Sequence, residues 1–177
     1  MTSVLRVQVS PSASEPTRAI VLVCNGPGEL TTWVRPLAQR LHRDMPLRPN
    51  EAESSTELRL VLVPCPNATG SEASVAKGMG LFSRVLPASR FWWLLLRPRR
   101  HGPWPRQGVV VFLGGDQFWT VLLSARLDYR HLTYAEWVAR WPRWNNHIVA
   151  MGAAASDRVA PRWRERCSVV GLSLIHI

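Results

Sequence analysis

Apolar segments alternate with polar and glycine-rich stretches along this chain. Residues 109–113 (VVVFL) form an unbroken run of β-branched and large apolar residues, which is typical of a strand buried on both faces of a parallel sheet. Further apolar runs predict the remaining strands, at 19–23, 58–63, 82–86, 131–134, 146–151 and 167–171. Since helical stretches lie between the strands, the pattern predicts an α/β domain with a Rossmann-like, doubly wound parallel sheet.

Two stretches between the strands have the composition and spacing of helices. In residues 33–41, apolar side chains recur every three or four positions, and Thr31 or Thr32 can cap the start of a helix there. Residues 24–29 contain a proline and two glycines, so they are predicted to form a loop. Residues 118–127 predict a second helix, packed on the sheet.

Three tryptophans recur at intervals of four and three residues after the fifth predicted strand. The spacing of Trp137, Trp141 and Trp144 favours the buried face of a further helix. Arg140 and Arg143 lie between them, and together they can bind a phosphate group through paired hydrogen bonds.

The loop after residues 109–113 carries the first candidate for chemistry. Gly114 and Gly115 let the backbone turn sharply, and Asp116 follows where the next helix begins. Ligands of open α/β sheets bind beyond the carboxyl ends of the strands, so this carboxylate is well placed for catalysis. The position alone slightly favours the simpler interpretation that Asp116 is a helix N-cap. In a parallel sheet, Glu136 lies at the same edge as Asp116.

The loop after the first strand, Asn25-Gly26-Pro27-Gly28-Glu29, is a second candidate. Its glycines can bring the backbone close to a ligand, and a simple turn explains them equally well. A carboxylate at the start of a helix is stabilised by the helix dipole, and this stabilisation alone can explain a glutamate at position 29. The alternative is that the carboxylate of Glu29 binds a sugar hydroxyl. The loop matches neither the dinucleotide-binding pattern nor the P-loop pattern.

A compact aromatic block, Phe91–Leu96 (FWWLLL), is flanked by arginines. Such a block is typical of a helix that anchors a protein at the surface of a membrane, and a core helix with a basic end has the same pattern. The two interpretations are evenly balanced. The candidate membrane-interface residues are Phe91, Trp92, Trp93, Arg97, Arg99 and Arg100.

The composition narrows the classes of function. A chain of 177 residues suits one domain, and 46% apolar with 19% charged residues is a globular composition. The net charge of +10 comes almost entirely from arginine, since Lys77 is the only lysine. This charge suits nucleic acid, an anionic membrane surface or phosphorylated substrates, and genomic base composition also explains it. Because the arginines are dispersed over the chain, nucleic acid is the least favoured partner.

Cysteine usage and the N-terminal residues set further limits. Cys24, Cys65 and Cys167 are widely spaced and form no CxxC pair, which argues against a disulfide framework or a metal site and favours a reducing compartment. Apolar runs fall short of the roughly 18 residues that a membrane-spanning helix needs. Residues 1–18 lack the pattern of a signal peptide and are predicted to be a disordered tail.

Three segments together resemble the lipid-A-disaccharide synthase family, in particular the branch of proteins related to that enzyme. They are LVCNGPGELTTWVRPLA at 22–38, QGVVVFLGGDQF at 107–118 and YAEWVARWPRW at 134–144. A fourth segment, PCPNATGSEASVAKG at 64–78, fits the same branch. The resemblance implies the N-terminal half of a two-domain GT-B glycosyltransferase. Residues 19–171 would be the Rossmann-like acceptor-side domain, a donor domain would lie beyond them, and 172–177 would be a non-native tail.

The resemblance also implies a reaction and its site. The family joins UDP-2,3-diacylglucosamine to 2,3-diacylglucosamine 1-phosphate and releases UDP, with no metal or other cofactor. The resemblance implies that Asp116 is the catalytic base, and that the substrates are a glycolipid acceptor and a UDP-sugar donor. It also implies that the protein lies peripherally on the cytoplasmic face of an anionic membrane. The candidate acceptor-binding residues are Asn25, Gly26, Gly28, Glu29, Glu136 and Arg140. A non-catalytic lipid-binding domain at the membrane surface is the alternative.

Overall fold

The fold is built on a single parallel sheet. The computed structural model describes residues 17–45, 56–101 and 103–171. The strands within these ranges are β1 (Arg18–Cys24), β2 (Thr56–Leu62), β3 (Arg84–Leu86), β4 (Gln107–Phe112), β5 (Arg130–Ala135), β6 (His147–Ala150) and β7 (Cys167–Val169). Every neighbouring pair is parallel, and the strand order is β3-β2-β1-β4-β5-β6-β7. The predicted α/β class with a Rossmann-like parallel sheet is confirmed.

Helical segments connect the strands and flank the sheet. They are α1 (Pro27–Glu29), α2 (Arg35–Asp44), α3 (Glu72–Gly78), α4 (Phe91–Leu96), α5 (Gln117–Leu127) and α6 (Ala153–Asp157). A π-helical turn, Leu30–Val34, joins α1 to α2 without a break. Short 3₁₀ turns occur at Ala88–Arg90, Pro98–His101, Pro142–Trp144 and Pro161–Arg166. Within the described ranges, none of these helices has the length and apolar character needed to cross a membrane.

The central strands are buried on both faces, as their unbroken apolar sequence predicts. On one face Leu22 of β1 lies opposite Val111 of β4, and both belong to a cluster that includes Ala38 of α2. On the other face Val110 of β4 packs in a cluster with Leu123 of α5. The sheet is therefore the middle layer of a three-layer domain.

The helix after β1 begins earlier than predicted. Pro27 occupies its first turn, where a missing N–H and a fixed φ are easily accommodated. Thr31 lies inside the helix and donates its hydroxyl to the carbonyl oxygen of Pro27 at 3.1 Å, so neither Thr31 nor Thr32 is the cap. The prediction of a loop at 24–29 is wrong from Pro27 onward.

The segment after β5 is not the predicted helix. Trp137 lies in irregular backbone, and Pro142–Trp144 forms only a short 3₁₀ turn. Trp141, directly before this proline, has a φ of 58°, in the left-handed region, so no right-handed helix runs through it. A proline also disfavours right-handed helical backbone in the residue before it. Trp137, Trp141 and Trp144 are 67%, 41% and 50% exposed. The prediction that these tryptophans form a buried helical face is wrong.

Two predicted segments lie outside the described residues, wholly or in large part. The predicted C-terminal tail, 172–177, lies wholly outside them, and so do residues 1–16 of the predicted N-terminal tail, 1–18. Arg18, the last residue of the predicted N-terminal tail, is the first residue of β1.

Candidate functional site

The strand order creates a crevice at one edge of the sheet. The chain runs outward from β1 through β2 to β3, then returns to place β4 on the other side of β1. The loops that leave β1 and β4 therefore diverge, and ligands of such sheets bind between them. The loop after β1 begins at Asn25, and the loop after β4 contains Gly114, Gly115 and Asp116.

A cavity of about 430 Å³ lies at this edge. Four of the predicted site residues line it together: Glu29, Asp116, Glu136 and Arg140. They follow three different strands, so the parallel arrangement is what brings them to one place. The cavity combines three carboxylates with one guanidinium, and its volume lies in the range of small-molecule binding sites.

Two glycines make room for the side chain of Glu29. A Cβ atom at Gly26 would lie 2.6 Å from Oε2 of Glu29, and a Cβ atom at Gly114 would overlap the base of the same side chain. A larger residue at either position would displace this carboxylate. The glycines at 26 and 114 are therefore explained by packing around Glu29.

Asp116 is both a helix cap and a cavity residue. Its Oδ1 accepts a hydrogen bond from the backbone N–H of Phe118 at 2.9 Å, which caps α5. Gly115 before it has a φ of +97°, a backbone conformation that residues with side chains rarely adopt. The N-cap interpretation is confirmed. Because the side chain is also exposed to the cavity, the cap leaves its second carboxylate oxygen, Oδ2, for other chemistry.

Gln117 fixes the loop that carries Glu136 and Arg140. Its buried side chain donates through Nε2 to the carbonyl oxygen of Val138 at 2.8 Å, and its Oε1 accepts from the backbone N–H of Arg140 at 2.6 Å. Asn145 holds the same loop from its other side, because its Nδ2 donates to the carbonyl oxygen of Arg140 at 3.3 Å. Sequence reasoning missed both amides, because side-chain bonds to distant backbone atoms produce no periodic pattern.

Three of the predicted acceptor-binding residues do not line the cavity. Asn25 packs its side chain beside Gly115, where a Cβ atom would lie 2.9 Å from Cγ of Asn25. Gly26 is buried before the first turn of α1, and Gly28 is exposed within that turn. Local packing explains Asn25 and Gly26, whereas a Cβ atom at Gly28 would meet nothing within 4 Å. Direct contact of these three residues with the ligand stays a prediction.

An apolar groove of about 390 Å³ runs along one face of the sheet. Leu113 and Tyr134 line both the groove and the acidic cavity, so the two spaces adjoin. Trp33 also lines the groove, and its ring centroid lies 5.2 Å from that of Tyr134. A polar cavity that continues into an apolar groove has the form of a site for an amphiphilic ligand.

Two buried titratable groups of the sheet, Cys24 at the carboxyl end of β1 and His131 near the amino end of β5, are poorly suited to catalysis at neutral pH. Burial raises the pKa of the Cys24 thiol to about 12, and the nearby Glu29 carboxylate adds to this effect. Burial lowers the pKa of His131 to about 4, so its imidazole is neutral and weakly basic; Nε2 lies 3.3 Å from the hydroxyl of Thr133. The carboxylates are therefore the better candidates for acid–base chemistry.

The aromatic block at 91–96 forms α4, which has a buried and an exposed face. Trp92, Trp93 and Leu96 are 53%, 57% and 67% exposed. Phe91 is fully buried, and its ring meets that of Trp119 edge-on, with centroids 5.7 Å apart. The prediction of Phe91 as a membrane-interface residue is wrong, because this side chain attaches the helix to the core.

Arginines surround the exposed face of α4. Arg97 and Arg100 are exposed, as predicted for interface residues, whereas the side chain of Arg99 lies outside the described part of the structure. Arg126 of α5 donates through Nε to the carbonyl oxygen of Leu95 at 2.6 Å, which adds a positive charge at the end of α4.

Comparisons with known proteins add no functional assignment. No protein-family model matches the chain, and no curated protein is significantly similar to it. The family resemblance therefore stays a prediction.

Proposed function

We propose that this chain is the acceptor-side domain of an inverting, metal-independent glycosyltransferase that resembles lipid-A-disaccharide synthase. The observation that supports the proposal is the acidic cavity at the β1/β4 crevice, together with the apolar groove that adjoins it. A glycolipid has the matching two parts. Its sugar head would lie among the carboxylates, and its acyl chains would enter the groove.

Asp116 is the proposed general base. One carboxylate oxygen is engaged by the N–H of Phe118, and the other would take the proton from the acceptor hydroxyl. The hydroxyl oxygen then attacks the anomeric carbon of the UDP-sugar from the face opposite the leaving group. The bond from that carbon to UDP breaks, and UDP leaves with the electron pair. A positioned base of this kind typically contributes about 10² to 10⁴ in rate.

Glu29, Glu136 and Arg140 are the proposed acceptor-binding residues. The two carboxylates would accept hydrogen bonds from sugar hydroxyls, and the guanidinium would pair with the 1-phosphate of the acceptor. Gln117 supports this role indirectly, because it holds the backbone of Arg140 in place. The UDP-sugar donor would be bound mainly by a second domain.

Acceptor binding by this chain tests the proposal without the donor domain. The dissociation constant for 2,3-diacylglucosamine 1-phosphate would be measured by calorimetry for the unmodified chain and for Glu29→Gln and Glu136→Gln. Losing a hydrogen bond to a charged group costs about 1.5–3 kcal/mol, so each variant should bind at least about tenfold more weakly. Glu165→Gln, an exposed position outside the cavity, is the matched control. Equal binding by all four proteins would exclude the cavity as the acceptor site.

A non-catalytic lipid-binding domain at the cytoplasmic face of the membrane is the second candidate. The capping role of Asp116 favours it, since that role explains the residue without chemistry. Release of UDP separates the two candidates. In a chain that includes the proposed donor domain, the enzyme would release UDP only with acceptor present, and the binding domain would release none.

A further inference from the structure

A continuous row of aromatic rings connects three separate elements on the protein surface. Trp92 of α4 meets Trp119 of α5 at 5.0 Å between centroids, and Trp119 meets Phe118 at 5.5 Å. Phe118 then meets Trp141 at 5.8 Å, and Trp141 meets Trp144 at 5.6 Å. These five residues are called the aromatic belt below. Sequence reasoning treated its two ends as unrelated, because α5 brings them together only in three dimensions.

The belt is exposed along most of its length. Trp92, Phe118, Trp141 and Trp144 are 53%, 38%, 41% and 50% exposed, and Trp119 beneath them is half-buried. Large side chains in mutual contact could have packed into a core, yet these remain at the surface. Contiguous apolar patches of this kind mark sites of interaction with membranes or other proteins.

The charge around the belt distinguishes between these partners. The segments that carry it, 88–101, 117–127 and 141–144, contain six arginines and no acidic residue, and the nearest carboxylates are Asp116 and Asp128 at the two ends of the second segment and those of the cavity. Arg143 lies with its guanidinium carbon 5.7 Å from the ring centroid of Trp144. Tryptophans at the level of lipid head groups, with arginines beside them, suit an anionic bilayer surface.

The belt also reaches the rim of the acidic cavity. Phe118 follows the cavity residues Asp116 and Gln117, and its N–H is bonded to Asp116. Trp137, which is 67% exposed, lines the cavity itself. A membrane bound to the belt would therefore lie beside the cavity opening.

We propose that the aromatic belt docks on anionic lipid bilayers and places the opening of the acidic cavity at the lipid surface. The docking surface thus extends beyond α4 to Phe118, Trp141 and Trp144. If a lipid acceptor passes directly from the bilayer into the cavity, that step rests on the proposed function. Docking of the belt on the bilayer does not rest on it, so the docking proposal and the proposed function can fail separately.

Co-sedimentation with lipid vesicles tests the docking surface. The unmodified chain is expected to bind vesicles of phosphatidylglycerol and phosphatidylcholine, and to bind pure phosphatidylcholine much more weakly. The double variant Trp141→Ser/Trp144→Ser should lower binding to the anionic vesicles by about tenfold or more, because two large aromatic surfaces no longer enter the interface. Trp92→Ser/Trp93→Ser should have a similar effect.

The control removes exposed apolar side chains elsewhere. Val75 on α3 and Val170 after β7 are 47% and 57% exposed, and Val75→Ser/Val170→Ser should bind vesicles as the unmodified chain does. Circular dichroism and urea unfolding verify that each variant is folded, and the exposure of both mutated tryptophans favours this.

Three results would overturn the proposal. The first is normal vesicle binding by the Trp141/Trp144 variant, which would confine docking to α4. The second is the absence of anionic preference in the unmodified chain. The third is a concentration-dependent dimer in sedimentation velocity that the same variant abolishes, which would make the belt an interface between two copies. A chain that binds vesicles through the belt yet fails to bind the acceptor would instead contradict only the proposed function.

Discussion

Replacing Gly114 by alanine tests the packing that positions the Glu29 carboxylate. The added methyl carbon would lie 2.9 Å from Cβ and 3.2 Å from Cδ of Glu29, and closer still to Cγ. Cβ and Cγ belong to the base of the side chain, so they cannot swing aside as a flexible tip can. Inserting a methyl group into a filled contact of this kind costs about 1–3 kcal/mol. We expect Gly114→Ala to lower the free energy of unfolding by that amount.

A double-mutant cycle with Glu29→Gly assigns the loss to this contact. In the Glu29→Gly background the atoms that clash are gone, so Gly114→Ala should be close to neutral. The coupling free energy between the two positions should then be about 1–3 kcal/mol, measured by urea unfolding of the four proteins. In thermal unfolding, each kcal/mol corresponds to about 2–4 °C in the midpoint for a chain of this size.

Gly28→Ala is the matched control for this cycle. A Cβ atom at Gly28 meets nothing within 4 Å, and the residue lies in the first turn of α1. Alanine forms helices better than glycine, so this variant should be as stable as the unmodified chain or slightly more so. Effects of Gly114→Ala and Glu29→Gly that add to within about 0.5 kcal/mol would refute the inferred packing, because non-contacting sites behave in that way.

Changes at other single groups also have defined outcomes. Asp116→Asn should keep the cap and the stability of the chain, whereas Asp116→Ala should lose about 1 kcal/mol in urea unfolding; equal losses would contradict the capping role. As the pH falls from 6.5 toward about 4, only the unfolded chain binds a proton at His131, so the free energy of unfolding should fall by roughly 3 kcal/mol. His131→Gln should remove this part of the pH dependence, and an unchanged slope would show that another group is responsible. Iodoacetamide should alkylate Cys65 and Cys167 of the native protein before the buried Cys24, as read by mass spectrometry, and equal labelling would contradict that burial.

Most of the sheet could be predicted from the sequence, because strands buried on both faces need continuous apolar runs. Each predicted strand agrees with the structure to within two residues at either end; for example, 82–86 was predicted and β3 is Arg84–Leu86. The approximate place of the cavity followed as well. Carboxyl ends of parallel strands meet at one edge, so Asp116 and Glu136 had to lie near each other.

The helix at 118–127 was predicted to within one residue of α5, but the start of the helix after β1 and the tryptophan segment were not predicted, for two physical reasons. Pro27 disfavours helix in general but suits a first turn, and the sequence does not state which situation applies. Apolar spacing reports which side chains share a face, but it does not report whether that face is covered. The spacing of the tryptophans near Pro142 matches a buried helical face, although they lie at the surface. Pro142 was the one sequence signal against a helix there, because a proline disfavours helical backbone in the residue before it.

The packing within the site was also beyond sequence reasoning. Gly114 is close in sequence to Asp116, but its spatial neighbour is Glu29, more than 80 positions earlier. The Gln117 amide bonds to backbone atoms of another loop. Both contacts depend on how close two elements lie in the folded structure. Local residue preferences carry no information about that distance.

The place of β1 in the sheet has a consequence for how the protein is made. β1 is synthesised before both of its neighbours in the sheet, and one of them, β4, begins only at Gln107. At about 5–20 residues per second, a ribosome needs on the order of ten seconds to produce the intervening chain. During that time the apolar segment RAIVLVC has one unpaired edge, which is the kind of surface that chaperones cover and that aggregation exploits.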